Sequence, residues 1–140
     1  MLFDNDMMMF LTKDNQNTKT NDLINEKEGL IRGNMFESEY KPYKNYTPNI
    51  INANNNKDSL FLKLYETNFA IIDLNLYLDL HPNDNQMYEI YKKYVNNFEK
   101  LKKMYEENFG PLEITCVDSD TYNWIKNPWP WDNDGGNQNV

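Results

Sequence analysis

Between Leu60 and Leu80, apolar residues recur every three or four positions, and they do so twice over. One stripe is Phe61, Tyr65, Phe69, Ile72, Leu76 and Leu80; the other is Leu60, Leu64, Ile71, Leu74 and Leu78. This is the repeat of an α-helix, and two adjoining stripes give it a wide apolar face. Asp58 or Ser59 is placed to cap its first turn, where a side-chain oxygen accepts an otherwise unpaired N–H. Pro82 disfavours helical geometry at His81 and stops the helix there. At 1.5 Å per residue the helix is about 35 Å long. A second periodic stretch follows at Met87, Tyr91, Tyr94, Phe98, Leu101 and Tyr105, with the alternating spacing of a helix–helix seam. Asn83, followed three residues later by Gln86, fits a capping box, and Asp84 adds negative charge at the positive end of the helix dipole. Lys92, Lys93, Lys100 and Lys103 fall away from the seam. Gly110 suits the left-handed position after the last turn, and Pro111 cannot continue the helix. The short His81-Pro82-Asn83-Asp84 connection predicts antiparallel neighbours, an αα-hairpin.

The flanks show no sustained period. Residues 1–57 are rich in Asn, Asp, Thr and Lys and offer little apolar surface to offset the entropy of ordering. They read as an irregular or disordered extension. One island, Gly29 to Phe36 followed by Tyr40, Tyr43 and Tyr46, suits an extended aromatic strip, near residues 29–46, that docks against something. After the second helix come Trp124, Trp129 and Trp131, with Pro128 and Pro130 favouring an extended backbone. Such a strip loses little entropy on docking and buries a large area. Its tryptophans can fold back on their own hairpin, face a partner, or do both. Residues 133–140 read as a disordered tail. The expected fold is therefore all-α: an antiparallel two-helix hairpin with an extended Trp/Pro-rich C-terminal strip, within 58–132, and a largely irregular N-terminal extension. Two helices alone make a thin core, so part of the apolar surface must meet the flanks or another chain.

Composition narrows the function classes. The 140 residues carry 14 basic and 22 acidic side chains, a formal net charge of -8. Nucleic-acid binding needs a basic face to displace counterions from phosphate, and this balance argues against it. The lysines of the second helix interleave with Glu89, Glu99, Glu106 and Glu107, which reads as a solvated face with local ion pairs. No run of about 20 apolar residues exists to span a bilayer. Acidic residues precede the short Met7–Leu11 apolar run, unlike a secretory signal, so the expectation is an intracellular chain.

Candidate chemistry is sparse. Cys116 is the single cysteine, so no intrachain disulfide is possible. An antiparallel hairpin puts it at the end opposite His81, which argues against a Cys–His dyad. Asp73, Asp79, His81 and Asp84 supply too few ligands for a convincing transition-metal site, and Asn83 and Asp84 read better as capping residues. Neither a catalytic nor a metal nor a cofactor site is assigned. The candidate partner-interface residues are Tyr40, Tyr43, Tyr46, Trp124, Trp129 and Trp131, and the helix-turn motif is Asp79, His81, Pro82, Asn83 and Asp84.

Three stretches together carry a resemblance. They are Phe69 to Asp84, with its Leu-Tyr-Leu-Asp-Leu-His-Pro-Asn-Asp core, then Tyr105 to Leu112, then Tyr122 to Trp131 with its Pro-Trp-Pro-Trp end. Their order and spacing resemble the CotJB family of spore-coat proteins from endospore-forming Firmicutes, over about residues 60–132. Phe109 stands where that family usually has Tyr. The resemblance implies a structural or adaptor component of the inner coat layers, made in the mother-cell cytoplasm, and not an enzyme. It implies assembly with a small coat protein, CotJA, and with CotJC, which resembles a manganese catalase and holds the metal chemistry. Homo-oligomerisation is open. An alternative is a regulatory or stabilising subunit of a catalase-like metalloenzyme outside any coat lattice.

Overall fold

A computed structural model describes residues 19–115, together with Asp120 and Tyr122. The described residues form three α-helices: α1 at Glu26–Arg32, α2 at Asn56–Leu80 and α3 at Asn85–Phe109. The two long helices form the expected antiparallel hairpin, turning over His81–Asp84. The described residues contain no strand, only an isolated antiparallel bridge between Leu23 and Phe36.

The helix ends depart from the expected caps. α2 starts earlier than the apolar pattern implied, because Asn55 caps it. Asn55 Oδ1 accepts the Asp58 N–H at 2.8 Å, while Asn55 Nδ2 donates to Asp58 Oδ2 at 3.0 Å. The cap of α3 is Asp84 rather than Asn83: its Oδ1 accepts the Met87 N–H at 3.0 Å, three residues on. A carboxylate serves this position better than an amide because it also meets the positive end of the helix dipole. His81 closes α2, as Pro82 required. Gly110 closes α3 at φ 101° and ψ 173°, a region essentially reserved for glycine but extended rather than left-handed helical.

The helix seam matches the periodic positions. Leu60 and Leu64 of α2 cluster with Leu101 and Tyr105 of α3, with Phe98, Met104 and Leu112 packed against them. At the other end, Ala70 and Leu74 cluster with Met87, joined by Ile90, Tyr91 and Tyr94. The stripe that packs is therefore Leu60, Leu64 and Leu74. The stripe Phe61, Tyr65, Ile72, Leu76 and Leu80 is largely exposed on the outer side of α2. α3 is amphipathic, with charged exposed residues such as Glu89, Lys93, Glu99, Lys100, Lys103 and Glu107, whereas α2 carries large apolar residues on its outer side as well as at the seam.

Residues 19–40 correct the expectation of an irregular extension. Asn25 caps α1 by accepting the Glu28 N–H at 2.9 Å, and Gly33 ends it in the left-handed conformation at φ 77°. The chain then returns beside its own entry: Ile24 N–H donates to the Met35 carbonyl at 3.0 Å, and Ser38 N–H to Asp22 Oδ1 at 2.9 Å. This closed loop pushes Met35 and Phe36 into the core with Ala70, Leu74 and Met87. Met35 is 0% exposed, and its N–H donates to Asp73 Oδ2 at 2.8 Å. The Phe36 ring lies 5.0 Å from that of Tyr77. Low average hydrophobicity hid this, because two well-placed anchors on a pre-closed loop are enough to hold it down. Residues 41–55 carry no helix or strand.

Candidate functional site

The helix-turn motif sits at the end of the hairpin where α2 becomes α3. Asp84 does two jobs there. One carboxylate oxygen caps α3, and the other accepts the Tyr77 hydroxyl at 3.0 Å. Burial, reinforced by the Asp84 hydrogen bond and charge, pushes the Tyr77 phenol above its ordinary value. The His81 ring lies 4.4 Å from the Tyr77 ring, so Tyr77 links the turn to Phe36 of the N-terminal loop. Asp79 is exposed, with Asn75 Nδ2 at 3.5 Å. Pro82 and Asn83 form the exposed tip of the turn. The roles shown for this motif are mechanical: stop one helix, start the next, and register the loop on both.

The candidate carboxylate–histidine group does not converge. Asp73 is turned to the Met35 amide, Asp84 to the α3 cap and Tyr77, and His81 to the Tyr77 ring. Among the described residues, no three His, Cys, Asp or Glu side chains are grouped to hold a metal ion. Cys116 lies outside the described residues.

One buried acid is unexpected. Glu66 is 2% exposed, and its Oε2 lies 2.8 Å from Lys63 Nζ on the previous turn. The ammonium is off the line of a hydrogen bond, so this oxygen is held by charge alone. Charges this deeply placed are normally paired.

The aromatic island splits in two. Gly29 to Phe36 is helix and core anchor, as described above. Tyr40 is half-buried, with the Arg32 guanidinium 5.1 Å from its ring centre, a cation–π arrangement. Tyr43 and Tyr46 are 86% and 57% exposed, and Ile50 and Ile51 beyond them are exposed too. The apolar strip available to a partner is thus Tyr43–Ile51, displaced toward the C-terminal side of the expected 29–46 strip. Ile50 and Ile51 were missed because they sit in an Asn-rich stretch without periodicity. Asn45, between Tyr43 and Tyr46, takes φ 64°, a left-handed turn that asparagine tolerates. Trp124, Trp129 and Trp131 lie outside the described residues.

The hairpin also carries titrating groups at its seams. Tyr94 is half-buried against the core, and its hydroxyl lies 3.4 Å from Glu26 Oε2 of α1. Burial first, then the Glu26 charge and hydrogen bond, push its phenol well above the ordinary 10.0. No described helix is long and apolar enough to cross a membrane.

The comparisons with known proteins agree with the three-part motif. No curated protein and no solved structure matches the chain. A family model described as CotJB protein matches residues 58–132. The match starts near the first turn of α2, runs through the hairpin turn and α3, and includes the tryptophan segment. It covers more than half of the 140 residues, so the chain belongs to the CotJB family, whose proteins are associated with the spore coat.

Proposed function

We infer that the chain is a structural adaptor of the endospore coat. It is made in the mother-cell cytoplasm and assembled into the inner coat layers. The observation that carries this reading is the CotJB family match over residues 58–132. The surface supports it: Tyr43, Tyr46, Ile50 and Ile51 offer an apolar strip on a non-helical segment beside a firmly packed scaffold. Exposed aromatic anchors of this kind are what interfaces bury. The partners proposed are a CotJA-like small coat protein and a catalase-like CotJC protein. The chain supplies contacts and spacing, and the metal chemistry stays with the catalase-like partner.

Fractionation of purified spores tests the reading. The protein is expected in the coat extract and absent from vegetative cells. Abundance in vegetative cytosol together with absence from the coat extract overturns it.

A further inference from the structure

Among the described residues, the outer side of α2 exposes a run of large apolar side chains. Between Phe61 and Leu76 every exposed α2 position is uncharged: Phe61, Tyr65, Asn68, Ile72, Asn75 and Leu76. A helix that is apolar on its packed and its outer sides belongs between two layers. We propose that the C-terminal segment 123–131 of the same chain docks along this stripe, with its tryptophans filling the outer side of α2.

The route of the chain after α3 points there. Around α2, Asp73 and Tyr77 meet the loop that carries α1, and Leu60, Leu64 and Leu74 meet α3. The Phe61–Leu76 stripe takes the remaining side, away from α1. On α3, Tyr94 reaches Glu26 on the α1 side. Each residue turns about 100° around a helix, so Lys102 and Glu106 lie on the opposite flank, about 80–120° from Tyr94. After Gly110 the chain folds onto that flank. Leu112 packs on Leu60, Leu64, Leu101 and Tyr105, and its N–H donates to Glu106 Oε1 at 3.2 Å. Glu113 then pairs with Lys102, two turns back along α3, at 2.9 Å. The chain has therefore reversed direction. Up to Thr115 it lies on the flank that also exposes the stripe, whose first residue, Phe61, has its ring 5.4 Å from that of Tyr105.

Reach and composition agree with the route. From Phe61 to Leu80 the stripe spans about 29 Å. The nine residues from Thr115 to Trp124 span up to about 30 Å when extended. Trp124, Trp129 and Trp131 can thus be set down anywhere along the stripe. A segment tethered at the correct end docks at a high effective concentration, which favours it over a free competitor. The proposal is independent of the coat reading, because it concerns one chain alone.

All three tryptophans of the protein lie in this segment, so tryptophan emission, excited at the red edge where tyrosine does not absorb, reports on it alone. The test is acrylamide quenching and emission of the full chain, beside the Ile72→Asp/Leu76→Asp variant. The expected result is a blue-shifted, quencher-shielded emission in the wild type that does not change on dilution. The variant should red-shift and quench several-fold more, with its far-UV circular dichroism unchanged. Should the double variant lose helix, Leu76→Gln replaces it, because that side chain is exposed and outside the core. Three results overturn the proposal. One is water-exposed tryptophan emission in the wild type. Another is shielded emission that a folded stripe variant leaves unchanged. The third is shielding lost on dilution together with dissociation of a dimer by size-exclusion chromatography, which assigns the stripe to a second copy.

Discussion

Gly29 sits inside α1, where glycine is ordinarily a poor choice, and its neighbour explains it. A β-carbon at this position would overlap Met35 Sδ, with Met35 Cγ and the Asn34 carbonyl oxygen each 3.5 Å away. Met35 is wholly buried and has no solvent to swing into. Gly29→Ala should gain about 1 kcal/mol of helix propensity. Overpacking against Met35 should cost about 1–3 kcal/mol. The net expectation is a loss of roughly 0–2 kcal/mol. Met35→Ala alone should cost about 2–5 kcal/mol, because it empties a core position. In that background the obstructing sulfur is gone, so Gly29→Ala should change sign and stabilise by up to about 1 kcal/mol. The two sites should therefore couple by about 1–3 kcal/mol, which urea unfolding of the four proteins, followed by far-UV circular dichroism, resolves. Additivity within about 0.5 kcal/mol would refute the reasoning. It would mean that Met35 does not lie against Gly29 of α1 as described.

Three further outcomes follow from the same structure. Lys63→Ala should cost roughly 1–2 kcal/mol, less than a fully buried pair because Lys63 is partly exposed, and far more than Lys92→Ala at an exposed pair, measured by urea midpoints. Asp84→Ala removes both the α3 cap and the acceptor of Tyr77, and thermal unfolding should show a loss of about 1–3 kcal/mol; equality with the wild type would contradict the double role. Tyr94 should make the protein alkali-sensitive. Its folded phenol titrates above the ordinary 10.0, so above that pH the unfolded chain releases a proton that the folded chain holds. Its contribution is fully present below pH about 10 and is lost as pH rises toward the folded value. Urea unfolding between neutral and alkaline pH should show this loss, and Tyr94→Phe should flatten it.

Periodicity made the hairpin legible because both long helices use their seam positions in the regular way. Met87, Leu101 and Tyr105 sit where the alternation put them. Pro82 and Gly110 ended the helices as their backbone preferences require. Caps were less legible, since Asn55, Asp58, Asn83 and Asp84 are all competent cap residues and only the folded geometry selects among them. The outward face of α2 was read as part of one broad apolar face, because two stripes on one helix carry no label saying which partner each will meet. The sequence marked Gly29–Phe36 and Tyr40 as a docking island, but the fold of residues 19–40 was not legible for a different reason. Their order comes from a closed loop, Asp22 to Ser38 and Ile24 to Met35, and non-local closure leaves no short period. At the candidate interface only exposure can be compared with the sequence. Tyr43 and Tyr46 are exposed as expected, Tyr40 is engaged by Arg32, and Ile50 and Ile51 had no pattern to reveal them.

In the proposed function, the exposed Tyr43–Ile51 strip joins coat proteins while the hairpin acts as scaffold. The most direct measurement of this is affinity capture of the full-length protein from sporulating cells, quantified by mass spectrometry beside a Tyr43→Ser/Tyr46→Ser/Ile50→Ser variant. Loss of interface anchors worth more than 1.4 kcal/mol together corresponds to about tenfold in affinity. The account predicts that coat proteins, a catalase-like one among them, are enriched with the wild type and fall about tenfold or more with a variant whose helix content is unchanged. Equal recovery by both proteins, or no coat protein with either, would contradict it.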